Sequence, residues 1–194
     1  VQPLIQKSLA GLKESLAQGK LEPSDVARIT CFVSSLAGFG ETRQFVDAEY
    51  SHAAVDFVQP ERGPREAMAA CEAVARLRAA PAQPVEFIGT NGGESQSALV
   101  AAPQVVLTGS QYSFGYQESD ARLAFERLKK SLEQAGTSTA NVAYAHYYPL
   151  SPSLAGEVRK VRADFFHAPA ATTLMFEGLP SMDAGFGVDV IAVK

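Results

Sequence analysis

The side chains with the widest chemical reach in this 194-residue chain are three histidines and two cysteines. His52, His146 and His167 stand at no metal-ligand spacing from a cysteine or a carboxylate pair, so a zinc centre is not expected. His146 falls within a run of strand-forming residues, Val142 to Tyr148, which makes it core or the lining of a cleft. No Gly-Lys-Ser/Thr follows the glycine clusters, so no phosphate loop is indicated. Cys31 and Cys71 each sit in an apolar run and read as small buried hydrophobes, since two cysteines make no disulfide framework for a chain of this length. Arg159, Lys160 and Arg162, with Lys129 and Lys130, form the solvated basic faces usual on helices. The net charge of −4 argues against nucleic acid as a partner. The composition, 46% hydrophobic and 20% charged, is that of an ordinary globular core. No apolar run approaches the length of a membrane-spanning helix, and the first residues lack a signal-peptide pattern, so a cytoplasmic location and no membrane partner are expected.

The elements that position these residues are written twice. Leu12-Lys13-Glu14-Ser15-Leu16-Ala17-Gln18 recurs as Leu128-Lys129-Lys130-Ser131-Leu132-Glu133-Gln134, 116 positions later. The same offset carries Asp25-Val26-Ala27 onto Asn141-Val142-Ala143, and Phe45 and Tyr50 onto Val161 and Phe166. A spacing of this size fits a duplicated domain rather than a solenoid repeat. Ile5, Leu9, Leu12 and Leu16 form one stripe of an amphipathic helix, as do Ala121, Phe125, Leu128 and Leu132. Gly19 and Gly136 mark the helix ends, where a left-handed cap is expected. Strands are predicted over 26–33 and 142–148, second helices over 41–54 and 154–166, and closing strands over 172–176 and 188–193. The second copy opens with strands over 85–88, 97–100 and 105–108, the first two flanking the turn signal Asn91-Gly92-Gly93. The expected domains are 1–80, incomplete at its N-terminal side, and 81–194, complete, joined by the stiff stretch from Ala79 to Pro84. The first copy therefore calls for about 32 further residues, carrying three strands, from a longer protein or from another chain or segment.

Several ordered motifs resemble the RidA/YjgF/YER057c/UK114 (endoribonuclease L-PSP-like) family. They are Val105-Val106-Leu107-Thr108-Gly109-Ser110-Gln111, the passage from Glu133-Gln134-Ala135-Gly136 to Asn141-Val142, and the segment from Val158 to Phe166. Pro169-Ala170-Ala171-Thr172, Gly178-Leu179-Pro180 and the stretch from Val188 to Val193 complete the set. In the first copy, the residues from Asp25 to Val33 match the same pattern. The resemblance implies an α+β fold of tandem RidA-like (chorismate mutase-like) domains, each a mixed sheet of up to six strands packed on two helices. It also implies trimer-like assembly as a homo-oligomer, with ligand sites in clefts between domains. The implied activity is hydrolytic deamination of a small carboxylate-bearing enamine or imine to a keto acid and ammonia, with no cofactor and no metal. Alternatives are a non-catalytic ligand-binding or oligomerisation module with degenerate sites and, less favoured, a ribonuclease.

The resemblance also assigns roles. Arg62, in Pro60-Glu61-Arg62, matches the family's carboxylate-clamping arginine, whose planar fork suits a bidentate grip, with Arg65 the alternative. Asp189 occupies the last-strand slot of the glutamate that positions water. In the first copy that slot aligns with Ala70, and Glu72 aligns with the strand's second carboxylate, as a substitute catalytic group or a salt-bridge partner. Thr108 and Gly109 match the Ser-Gly pair whose backbone lines the substrate cleft. The second copy lacks the arginine, having Ala171 in its place, and has Glu94-Ser95-Gln96 where a tyrosine-bearing motif is expected. One copy thus keeps the arginine and the other the carboxylate, so either a composite cleft pairs Arg62 with Asp189 or both sites are eroded.

Overall fold

The structure is a computed structural model describing residues 1–60 and 67–194. The chain divides into two compact units, Val1–Ala79 and Ala80–Lys194.

In the first unit, helix α1 (Gln2–Gln18) leads through a short 3-10 turn into β1 (Val26–Val33), followed by α2 (Phe39–Glu49), β2 (Ala54–Val58) and β3 (Ala69–Ala75). The sheet order is β2-β1-β3, with β2 parallel and β3 antiparallel to β1. The apolar stripe of α1 buries Ile5, Leu9 and Leu16 against Ile29 and Val33 of β1 and Val46 and Tyr50 at α2. Alternation along β1 turns Ile29, Cys31 and Val33 toward the helices. Cys31 faces Cys71 across the antiparallel pair, and the two form a disulfide, so they are not the free buried thiols expected. The Cys71 N–H donates to Ser8 Oγ on α1 at 2.7 Å, which satisfies one backbone donor of β3 from the helix above it.

In the second unit, a hairpin of β4 (Val85–Ile88) and β5 (Ser97–Val100) forms its own two-stranded sheet. Then come β6 (Val105–Leu107), β7 (Gln111–Phe114), α3 (Glu118–Gln134), β8 (Val142–Pro149), α4 (Pro152–Arg162), β9 (Ala170–Thr173) and β10 (Ala184–Val193). The main sheet runs β6-β10-β8-β9, and β7 pairs with the first half of β10 while β6 pairs with the last. Helices α3 and α4 cover one face, with Phe125 packed on Phe165, Phe166 and Phe186 at centroid distances of 5.3, 5.5 and 5.7 Å. At the C-terminal end of α4, Arg162 is only 6% exposed. It pairs with Glu94 and donates to the Gly92 carbonyl at 3.1 Å, tying the hairpin loop to the helix. Burial holds its guanidinium below the usual arginine range.

The second helices end four or five residues before their predicted limits. After Arg162 the chain turns, with the N–H groups of Phe165 and Phe166 donating to the Arg162 carbonyl, and this delivers both rings to Phe125. The start of α4 also lies earlier than predicted, because Ser151 accepts from the Leu154 N–H as an N-cap and Pro152 follows it. Strand β7 lies where the sequence pattern predicts no strand, and β10 begins before its predicted start, where Gly185 and Gly187 interrupt the apolar pattern.

Several elements of the two units correspond in order and spacing. The 3-10 turns and strands Val26–Val33 and Val142–Pro149 fall 116 positions apart, as do α1 and α3. A bulge sits between Val26 and Arg28 against β3 and recurs between Ile191 and Ala192 against β8. The helix ends differ from expectation in one respect. Gly136 adopts a left-handed φ of +79°, but its counterpart is Lys20 at +58°, while Gly19 keeps a φ of −78°. Leu21 N–H to Leu16 and Thr137 N–H to Leu132 close the same wide turn in each unit.

Candidate functional site

The sheet of the second unit has one face under the helices and one face free of them. Alternation along β8 sends Ala145 and Tyr147 into the helix-covered core and Tyr144, His146 and Tyr148 to the other side. On β10 the same alternation sends Val188 and Val190 inward and leaves Asp189 and Ile191 on the second face. Strand register then brings three positions into line: Asp189 of β10 opposite His146 of β8, and His146 opposite Thr172 of β9.

Asp189 is the centre of this group. Its Oδ1 lies 3.0 Å from His146 Nδ1, and its Oδ2 accepts from Ser110 Oγ at 3.1 Å. The Asp189 and His146 side chains are 21% and 22% exposed, accessible to a small molecule yet partly shielded from bulk water. Around them stands a row of rings. Tyr144 meets His146 edge-on at 4.8 Å, Tyr148 stacks on His146 at 5.7 Å, and Phe176 meets Tyr148 edge-on at 5.4 Å. The Tyr144 hydroxyl is hydrogen-bonded to Thr172 Oγ1.

Ser110 reaches Asp189 because the edge strand breaks there. Beta-6 and β7 both pair with β10, but the residues between them, Thr108-Gly109-Ser110, leave the ladder opposite Asp189 and Val190. Thr108 heals the gap: its N–H donates to the Val190 carbonyl at 3.1 Å, and its Oγ1 accepts from the Val190 N–H at 3.0 Å. Gly109 is exposed, and a Cβ there would meet nothing within 4 Å. The structure therefore places Thr108, Gly109 and Asp189 in one neighbourhood and adds Ser110, His146, Tyr144 and Thr172.

Glu72 lies on the first unit's β3, partly buried, opposite Thr30 of β1. Thr30 is the counterpart of His146 in the repeat, so Glu72 is the counterpart of Asp189 itself. The motif alignment, which gave that slot to Ala70, is two residues out of register. A two-residue slip keeps every side chain on the same face, so alternation alone does not reveal it. Arg62 and Arg65 lie outside the described residues, as does any pairing of Arg62 with Asp189.

The histidine partner was legible only as a lining residue, because its link to Asp189 joins strands 43 residues apart. Among the described residues, no group of histidine, cysteine and carboxylate side chains is arranged to hold a metal ion. No helix among them is long and apolar enough to cross a membrane.

This architecture, a mixed sheet with two helices on one face, is the fold of the Rid/YjgF proteins. The Rid-family protein YyfB of Yersinia pestis superposes with a TM-score of 0.52 at 14% identity, over 58% of this chain and 100% of that one. Rv2704 of Mycobacterium tuberculosis, a YjgF/YER057c/UK114 family member, matches at 23% identity with a TM-score of 0.44, over 53% of this chain and 87% of its own. NMB1025 of Neisseria meningitidis, of the YjgF family, matches at 16% identity and 0.44, over 57% and 94%. No family model matches the chain. No curated protein matches it.

Proposed function

We propose that the chain carries two RidA-like domains in tandem and that the second hydrolyses a small enamine or imine to a carbonyl compound and ammonia at the sheet face centred on Asp189. The observation that supports this most directly is the placement of Asp189 on the face of β10 turned away from the helices. There it accepts from Ser110 and meets His146, beside the Thr108-Gly109 turn, whose glycine is exposed. A carboxylate so placed can orient a water against a planar C=N carbon, either directly or through the groups it holds. By resemblance Arg62 would grip a substrate carboxylate.

Assembly with further copies of the chain is part of the same proposal. Leu107 on the edge strand β6 is 70% exposed, beside the partly exposed Ile191 opposite it, an apolar strip that burial against another copy would cover. A monomeric mass by sedimentation at micromolar concentration refutes that part.

The activity is tested with the imine formed from alanine by an amino-acid oxidase, using semicarbazide to trap whatever remains unhydrolysed. Added protein is expected to lower the semicarbazone yield in proportion to its concentration. Asp189→Ala is expected to remove most of that effect, a loss of 100-fold or more on the order of general acid–base contributions. A wild-type protein with no effect on trapping sinks the enzymatic proposal. It would leave a binding module, an alternative supported by Ala171 standing where the family has its arginine.

A further inference from the structure

We infer that the proton-accepting residue of the second unit is His146, and that Asp189 is the positioning residue that holds it. The inference rests on the proposed C=N hydrolysis and reassigns the roles within it.

Both oxygens of Asp189 are already engaged, one by Ser110 Oγ at 3.1 Å and one by His146 Nδ1 at 3.0 Å. An ionised carboxylate only accepts hydrogen bonds, so the proton between Oδ1 and Nδ1 belongs to the imidazole. That fixes the tautomer: Nδ1 carries hydrogen, and Nε2 is the basic nitrogen of the neutral ring. The flanking Tyr144 and Tyr148 rings, at 4.8 and 5.7 Å, further define its orientation. Of the two groups, the imidazole is the side chain suited to taking and returning a proton near neutral pH. The arrangement is a carboxylate–imidazole pair built across two strands, with the carboxylate in the orienting role.

The step balances as follows. As a water oxygen bonds to the iminium carbon, the C=N π pair moves onto nitrogen and one water proton passes to His146 Nε2, leaving a neutral carbinolamine. The imidazolium then returns that proton to the amine nitrogen. The C–N bond breaks as the C=O bond forms, and the hydroxyl proton leaves with ammonia as ammonium. No oxidant or metal enters. The titratable groups in contact with His146 include Asp189 on β10 and the Tyr144 and Tyr148 phenols on its own strand, while β9 presents the uncharged Thr172 opposite it.

The test uses the full chain in the trapping assay with His146→Gln and Asp189→Asn. His146→Gln is expected to lower kcat by about 100-fold or more. Asp189→Asn removes the charge that favours imidazolium, so the acid limb of the wild-type kcat profile is expected to move about one pH unit lower in that variant. A merely structural role for Asp189 lowers activity without moving that limb. If wild type is active and His146→Gln stays within threefold of it, the inference is overturned while the hydrolase proposal stands; if wild type is inactive, both fall. A ring-nitrogen NMR spectrum of wild type guards against a variant that fails to fold. An Nδ1–H tautomer for His146 supports the inference, and an Nε2–H tautomer overturns it.

Discussion

Removing the Cys31–Cys71 disulfide is expected to loosen the first unit and leave the second untouched. The bond joins directly opposed residues of β1 and β3 and closes a loop spanning 40 positions. Loop-closure entropy for that length corresponds to about 4 kcal/mol withheld from the unfolded chain. The stability of a small domain is on the order of 5–15 kcal/mol, so this is a large fraction of it. For a unit of 79 residues, the loss corresponds to a fall in Tm of roughly 20 °C. Hydrogen exchange resolves the two units within one molecule. Amides of Val26–Val33 that exchange through global opening should exchange on the order of 1,000-fold faster in reduced protein or in the Cys31→Ala/Cys71→Ala variant. Those of Val142–Pro149 serve as the internal control, since both cysteines lie in the other unit. Exchange of the β1 amides unchanged within about threefold would refute the reasoning. So would ready alkylation of either cysteine in protein never exposed to reductant. The bond also bears on location, because disulfides persist in oxidising compartments and are rare in the cytosol, where the sequence alone placed the chain.

Two further outcomes follow from the first unit. Lys20 holds a left-handed φ of +58° at the position where the second unit has Gly136, so Lys20→Gly should raise stability by about 1 kcal/mol, read from denaturant midpoints at constant m. Asp25 has its carboxyl held below the usual range, first by the hydrogen bond it accepts from the Glu22 backbone N–H; burial, the next effect, opposes this, and Arg78 adds to the lowering. A folded-state pKa depressed in this way adds stability above the ordinary aspartate value of 3.8 and loses it as pH falls through the lower folded value. Acid unfolding of the first unit should therefore begin below about pH 4 and be shallower over that window in Asp25→Asn, by circular dichroism; an identical slope in the variant would contradict the linkage.

The periodic elements were legible because they depend on local pattern. The stripe from Ile5 to Leu16 and its repeat from Ala121 to Leu132 became α1 and α3, and the β-branched runs that follow became β1 and β8. Boundaries failed where tertiary contacts override propensity, as where Phe165 and Phe166 leave the helix to pack on Phe125. The disulfide is not legible in the sequence, because two isolated apolar cysteines look inert until strand pairing sets them face to face.

Register is also what separates the two units chemically. Both place a carboxylate at the same pairing position of their last strand, Glu72 opposite Thr30 and Asp189 opposite His146. Only the second sets an imidazole there. On β10's other side, only the second unit supplies Ser110, because β6 and β7 have no counterpart in the three-stranded sheet of the first. Glu72 stands opposite the buried Thr30, and a threonine hydroxyl has no tautomer for a facing carboxylate to fix. The carboxylate–imidazole pair across neighbouring strands is therefore a feature of the second unit's register. A lost Glu72 should leave the pH profile of kcat where it is, while a lost Asp189 moves it.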